Sequence, residues 1–357
     1  MFNCTLNGSY RYGTLTLDSG HLLSTPTLSL YAGPGNPPGL IQRDAKLSSN
    51  LSFSISYPHV WDRLEPLDIP KTSLSQFYSH NVPVVLTVAD SMSTDIDSVS
   101  DDSLSIHTQS GRLKCTPKKY SDFINKWSPE VAILPADEFN LRSSNESTRR
   151  TVSSSQRTIT WTSEFVDTIT SKTLVLLPVS SKFVPELPSN KEFLFGFNLS
   201  VIDTKSSIKP NQIQSIWTNL PFQALRSATC LGAPDQLFDL IESGIDLISI
   251  SFHVVTAKQG IALSFLDDSE PVPWINLYDS KFATDSSSLA SSCELQCCTR
   301  HSRQYLHHLL KCHEMIGESL LLLHNANVMV TLMDNIRNSI VCGTFNDYKA
   351  KILKNLL

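Results

Sequence analysis

The stretch ATCLGAPDQLFDLIESGIDLISISF, Ala228–Phe252, decides the fold class. It holds an apolar run, Ala228–Gly232, then a helical pattern opened by Pro234 and Asp235, then a second apolar run, Leu247–Phe252. Proline tolerates the first helical turn because its missing N–H has no partner there, and an acid in that turn complements the helix dipole. Neither apolar run alternates strictly, which is how a strand buried on both faces of a parallel sheet reads. Working outward, similar runs recur at Thr27–Ala32, Pro83–Ala89, Val131–Ala136, Thr173–Val179 and Phe193–Val201. Runs at this density predict an α/β protein, a (β/α)8 TIM-type barrel, with an open α/β sheet as the alternative.

Composition agrees with a large packed core. Of 357 residues, 41% are hydrophobic and 18% charged, too apolar for a disordered chain. The net charge of −5 argues against a protein that grips nucleic acid by bulk charge alone. No run reaches the roughly 18 uninterrupted apolar residues of a transmembrane helix. The first residues, MFNCTLNGSYRYGTL, lack the basic and apolar regions of a secretory signal, so a cytoplasmic protein with free or metal-binding thiols is expected. Ala32–Pro38 and the acidic, Ser-rich Ser91–Ser105 read as loops, and Ser143–Arg157 as the polar start of a helix.

From Arg303 onward the chain reads as helix. Leu306, Leu309, Leu310 and His313 would share one face; Met329, Leu332 or Met333, Ile336 and Ile340 would share another, with Gly343 at the position after the C-cap. Residues 1–285 are therefore expected to form the barrel and 286–357 a helical subdomain. Four consecutive leucines, Leu320–Leu323, cannot all face one side of a helix. Either some of them face a partner, together with Val328, Met329 and Val330, or the helix is buried all round.

The densest chemistry lies at the start of that subdomain. Cys293, Cys297 and Cys298 fall within six residues, whereas Cys4, Cys115, Cys230, Cys312 and Cys342 are scattered. Three thiols and one imidazole suit a closed, structural tetrahedral zinc site, against the alternative of buried free thiols. By residue type alone His324, His307 and His308 compete as the fourth ligand. Arg300, Arg303 and Lys311 form a modest basic cluster beside it.

The block Cys298-Thr299-Arg300-His301-Ser302-Arg303-Gln304-Tyr305-Leu306-His307-His308-Leu309-Leu310, with His324-Asn325 after it, resembles the zinc region of the tRNA-guanine transglycosylase family. Tyr12–Leu17 with Thr25–Thr27 resembles the family's opening hairpin and first barrel strand. Thr116–Tyr120, Pro129–Glu138, Leu231–Leu237 and Gly244–Leu247 resemble further family stretches in the same order. The resemblance implies a TIM-type barrel and one structural Zn2+ per chain, held by Cys293, Cys297, Cys298 and His324. The family pattern would place a thiol at position 295, where this chain has Leu295, so Cys297 is the expected substitute, and two adjacent cysteines should need an unusual local backbone to reach one ion.

The departures from the family pattern bear on activity. The resemblance implies an aspartate nucleophile five residues after Gly244, and Ser249 stands there. The family's proline-threonine-arginine is replaced by residues around Phe252–Thr256, its Gly-Gly-Phe-Gln loop by Asp90-Ser91-Met92-Ser93, and its glycine-rich segment by Phe195–Ser200. This pattern is similar to that of the family's non-catalytic subunits in eukaryotes. The similarity implies no catalytic residues in this chain and a heterodimer with a catalytic queuine tRNA-ribosyltransferase subunit. It implies tRNA binding through that complex, which exchanges guanine for queuine at the wobble position of tRNAs with GUN anticodons. A cytoplasmic location, with peripheral association at the mitochondrial outer membrane, is implied in the same way. The alternatives are an active transglycosylase with a displaced nucleophile, Asp246 being the nearest carboxylate, and a free-standing zinc-dependent nucleic-acid module.

Overall fold

The computed structural model describes residues 1–33, 35, 47–67, 72–88, 92, 96–137, 148–179, 195–199, 210–218, 220–267, 272–291 and 293–356. An antiparallel sheet of β1 (Phe2–Asn7), β2 (Tyr10–Thr16) and β3 (Leu22–Thr25) opens the chain. Eight parallel strands then close into a barrel: β4 (Thr27–Gly33), β5 (Leu51–Ser56), β6 (Val84–Thr87), β10 (Val131–Ile133), β11 (Leu174–Val179), β12 (Phe195–Leu199), β13 (Leu225–Cys230) and β14 (Leu247–Ile250). β14 pairs with β4, so the barrel has no free edge.

The helices between them are α1 (Tyr57–Leu64), α2 (Leu74–Phe77), α3 (Pro117–Trp127), α4 (Thr148–Thr168), α5 (Pro210–Trp217), α6 (Pro234–Glu242) and α7 (Phe252–Lys258). Local chemistry starts several of them. Thr116 caps α3 by accepting the Lys119 N–H, with Pro117 in the first turn.

The barrel was expected from its apolar runs, and one strand escaped that reading. β5 is LSFSIS, a strict alternation, and every one of its residues is buried. The register places Ser52 and Ser54 beside inward-facing positions of β4 and β6, so the hydroxyls face the barrel interior and Leu51, Phe53 and Ile55 face outward. The stretch Ser91–Ser105, expected as a loop, contains β7 (Ile96–Val99) and the start of β8 (Leu104–Thr108), which with β9 (Gly111–Cys115) form a small antiparallel sheet. Ser98 and Ser105 pair with each other across these strands. Most of Ala32–Pro38, the segment 143–147 and Asp90-Ser91 lie outside the described residues.

After α7 come the β-hairpin β15 (Ile261–Leu263) and β16 (Trp274–Asn276), a 3-10 turn at Ser280–Thr284, then α8 (Gln296–Thr299), α9 (Arg303–Lys311), α10 (Met315–Cys342) and α11 (Phe345–Asn355). By its contacts the chain divides into two compact units. One is Met1–Gly35, Asn50–Leu231 and Asp239–Ile250, which holds all eight barrel strands; the other comprises Asn36–Ser49, Gly232–Phe238 and Ser251–Leu357.

In the second unit α10 is the central element. By length and composition it is apolar enough to cross a membrane, but Leu321–Leu323 are at most 7% exposed, and Met329, Leu332, Met333, Ile336 and Ile340 are buried too. Within the described chain it is a core helix. Leu321–Leu323, Val328, Met329 and Val330 are thus covered by this chain's own residues, and of the four leucines Leu320 alone is half-exposed. Gly343 ends the helix at φ 74°, as expected from the sequence. His313 does not share the face of Leu306, Leu309 and Leu310: it is exposed in the turn between α9 and α10, with φ 55°.

Candidate metal centre and barrel interior

Leu295 is the N-cap of α8, and its carbonyl accepts the N–H groups of Cys298 and Thr299, each at 2.9 Å. This is an ordinary first helical turn. It brings the Sγ atoms of Cys297 and Cys298 to 3.7 Å, so the two adjacent thiols converge without the unusual backbone expected for them. Cys293 joins them, and the three sulfurs lie within 4.8 Å of one another, all buried. Leu295, where the family pattern would place a thiol, is itself buried at 5% exposure.

His324, on α10 and 1% exposed, completes the group, with Nδ1 3.3 Å from the Cys298 sulfur. Its Nε2 lies 2.9 Å from the Leu263 carbonyl, which can only accept, so Nε2 carries the proton and Nδ1 presents its lone pair to the thiols. The competing histidines are elsewhere. His307 Nδ1 lies 2.7 Å from the Leu277 carbonyl, and His308 is exposed beside Cys312.

The donor set fits a tetrahedral cation. Metal–sulfur bonds of about 2.3 Å in that geometry separate two sulfurs by about 3.8 Å, close to the spacing of Cys297 and Cys298. The electrostatics point the same way. Hydrogen bonds from Cys297 and then Cys298 pull the Cys293 thiol far below its ordinary value. The same bond to Cys293 pushes Cys297 up to about 12 and Cys298 higher still. A bound cation would hold all three as thiolates.

Neighbouring polar groups brace this corner. The Asp267 carboxylate accepts the Ser291 N–H at 3.0 Å, just before Cys293. Arg303 donates to the carbonyls of Ser288 and Leu289 at 3.0 and 3.2 Å and pairs with Asp285. Arg303 is thus a structural clamp rather than a free surface charge. The Lys311 ammonium stands over the Tyr278 ring at 5.7 Å, and Arg300 is exposed. Sequence reasoning gave no role to Asp267, nor to Asn327, whose amide nitrogen is 3.9 Å from the Cys293 sulfur; single polar residues at such distances in sequence leave no pattern.

The barrel interior has a different character. At the N-terminal ends of the strands Val85, Leu174, Leu225 and Leu247 pack with Leu15 and Leu23 of the opening sheet and with Leu17 in the turn between β2 and β3. Two residues further along β6, β13 and β14, on the same inward face, stand Thr87, Ser227 and Ser249, with Asn198 of β12 and Ser29 of β4 beside them in register. Buried polar atoms of Ser29, Ser56, Asn198, Ser227 and Ser249 have no hydrogen-bond partner among the described residues. No carboxylate occupies any of these inward positions. Gly196 leaves room for its neighbours: a Cβ there would lie 2.5 Å from a Leu176 methyl. Active sites in this architecture form at the C-terminal ends of the strands, where this chain places hydroxyls and one carboxamide.

Asp246 lies at the N-terminal edge of β14, fully buried. Arg11 holds it by two hydrogen bonds of 3.0 and 2.8 Å, and the Arg226 N–H donates to it at 3.0 Å. Burial pushes its carboxyl up and the Arg11 guanidinium opposes that shift. The carboxylate nearest Ser249 in sequence is thus part of a structural ion pair. The residues around Phe252–Thr256 form α7, with His253, Val254 and Thr256 buried.

A family model described as queuine tRNA-ribosyltransferase matches residues 5–356. A zebrafish (Danio rerio) protein named queuine tRNA-ribosyltransferase accessory subunit 2 is 26% identical over 209 residues, covering 49% of this chain and 50% of its own length. The Schizosaccharomyces pombe protein of the same name is 24% identical over 350 residues, covering 91% of this chain and 77% of its own. A queuine tRNA-ribosyltransferase of Thermotoga neapolitana is 31% identical over 122 residues, covering 34% of this chain and 31% of its own. The chain thus spans half the length of the zebrafish relative and about a third of the bacterial one. With a closed eight-stranded barrel and a family match over nearly its whole length, the chain belongs to the queuine tRNA-ribosyltransferase family.

Proposed function

We propose that this chain is the non-catalytic subunit of a tRNA-guanine transglycosylase complex that exchanges guanine for queuine at the wobble position of tRNAs with GUN anticodons. The observation that carries this reading is the barrel interior. Ser249 stands at the position the resemblance gives to the nucleophilic aspartate, its hydroxyl is buried, and no base among the described residues is hydrogen-bonded to it. A neutral serine without a base is a poor nucleophile toward a ribose carbon. The two relatives named as accessory subunits support the same reading.

In this account the partner brings the nucleophile and the phosphate contacts, and this acidic chain steadies the bound tRNA through the heterodimer. Zn2+, held by Cys293, Cys297, Cys298 and His324, supplies a closed structural crosslink with no open position for chemistry. The functional division follows the two compact units, one with the barrel strands and one with the metal-bearing helices; the C-terminal segment of the second begins at Ser251, earlier than the boundary at 285/286 expected from the sequence. Exposed apolar residues near those helices, Met315 at 87%, Ile316 at 51% and Tyr305 at 42%, support a partner on that unit.

Size-exclusion chromatography with light scattering, on this chain with and without the family's catalytic subunit from the same organism, tests the proposal. A stable mixed dimer is expected. A chain that ignores the catalytic subunit, while that subunit alone performs all of the exchange, would overturn it.

A further inference from the structure

Among the described residues the hairpin β15–β16 has two strands, so the outer edge of β15 must find hydrogen-bond partners elsewhere. Two consecutive side chains of α10 supply them. Asn325, fully buried, accepts the Leu263 N–H on Oδ1 at 3.0 Å and donates from Nδ2 to the Ile261 carbonyl at 2.8 Å and the Thr256 hydroxyl at 3.0 Å. His324 takes the other side of the same residue, with Nε2 at 2.9 Å from the Leu263 carbonyl. Neither orientation is free to reverse. The Leu263 N–H can only donate and the Ile261 carbonyl can only accept, so the amide has one way round. The Leu263 carbonyl likewise fixes the proton of His324 on Nε2.

We propose that Asn325 is the positioning residue of the metal centre. It locks the backbone of Ile261–Leu263, and the Leu263 carbonyl at the end of that segment sets the tautomer and ring orientation that aim His324 Nδ1 at the thiols. The inference rests on the reading that the cysteine cluster holds zinc. Groups that orient a ligating imidazole typically change metal retention by 10- to 100-fold when removed.

The test uses the full chain loaded with zinc. Metal content of the unaltered protein comes first, and about one zinc per chain is expected. A chain with no metal overturns both the zinc reading and this proposal. Asn325→Ala is then compared with the parent for zinc transfer to a competing chelator and for the visible spectrum of the Co2+-substituted form. Transfer at least about 10-fold faster, with altered Co2+ bands, is expected. Asn325→Asp keeps the acceptor for Leu263 and loses the donor to Ile261, and should fall between the two. It decides the matter on the same readouts if Asn325→Ala does not fold.

A merely structural asparagine would lower the melting temperatures of zinc-loaded and chelated protein by the same amount. A positioning residue narrows the gap between them. Transfer within about twofold of the parent and an unchanged Co2+ spectrum, in a chain that holds its metal, would overturn the proposal and leave the zinc reading standing.

Discussion

In the barrel interior, Ser29, Asn198, Ser227 and Ser249 are buried with polar atoms that no described residue pairs. Around α8 the opposite holds: three thiols and His324 converge, and His324, Asn325, Asp267 and Arg303 beside them are hydrogen-bonded. Buried polar groups are ordinarily satisfied, so the contrast sets an interior of unpaired hydroxyls against a corner whose polar side chains are engaged. On the proposed reading, exchanging a nucleophile for serine costs little, because serine fits where a carboxylate would stand, whereas removing one of four metal donors costs more, because the remaining thiols stay buried.

The largest effect should come from breaking the second region. Cys298→Ser or His324→Ala is expected to abolish zinc binding by elemental analysis and to destabilise the helices around α10 by more than about 4 kcal/mol, since metal binding energy is folding energy in such a site. Cys297→Ser sharpens the point. If zinc content is unchanged in that variant, Cys297 is not the third thiolate and the comparison needs another donor.

Next is the ion pair at the N-terminal edge of β14. Asp246→Ala leaves the Arg11 guanidinium buried without its partner and should cost about 3–5 kcal/mol in denaturant unfolding. Zinc content should be untouched. A loss of metal there would show that the two regions are not independent.

Ser249→Ala should be mild, between neutral and about 1 kcal/mol more stable, because it removes a buried hydroxyl that has no partner. Ser249→Asp should restore no base exchange, since orientation of the substrate carries much of the barrier reduction and one carboxylate does not rebuild it.

The smallest effect concerns pH. Burial holds the His80 imidazole below its ordinary value, against the pull of its Gly35 carbonyl contact. The unfolded chain therefore takes up a proton that the folded chain refuses. The stability linked to His80 is full above about pH 6.5 and falls as the pH drops toward the lower folded value. His80→Gln should flatten that part of a stability-against-pH curve; an unchanged slope would remove His80 from the account.

Much of this was legible in the sequence, for reasons that also explain what was not. Continuous apolar runs such as Val84–Thr87 and Leu174–Val179 announce strands covered on both faces. β5 hid because its inward face is serine, and an apolar-run reading cannot see a strand whose apolar face is turned outward to the helices. The sequence also made Cys297 look awkward beside Cys298; one helical turn with Leu295 at its cap removes the difficulty. The helical pattern near the C-terminus was clear, yet its period could not show that α9 stops before His313, nor that α10 is covered on all sides around Leu321–Leu323. Arg303 read only as one of a basic cluster because its carbonyl partners carry no residue signature.

The central claim is that the barrel of this chain performs no chemistry. Exchange of labelled guanine into tRNA by the purified, zinc-loaded chain, without any partner, tests it most directly. The account predicts no incorporation and no covalent tRNA adduct on denaturing gels, with incorporation appearing when the catalytic subunit is added. Clear turnover by the pure chain would contradict it.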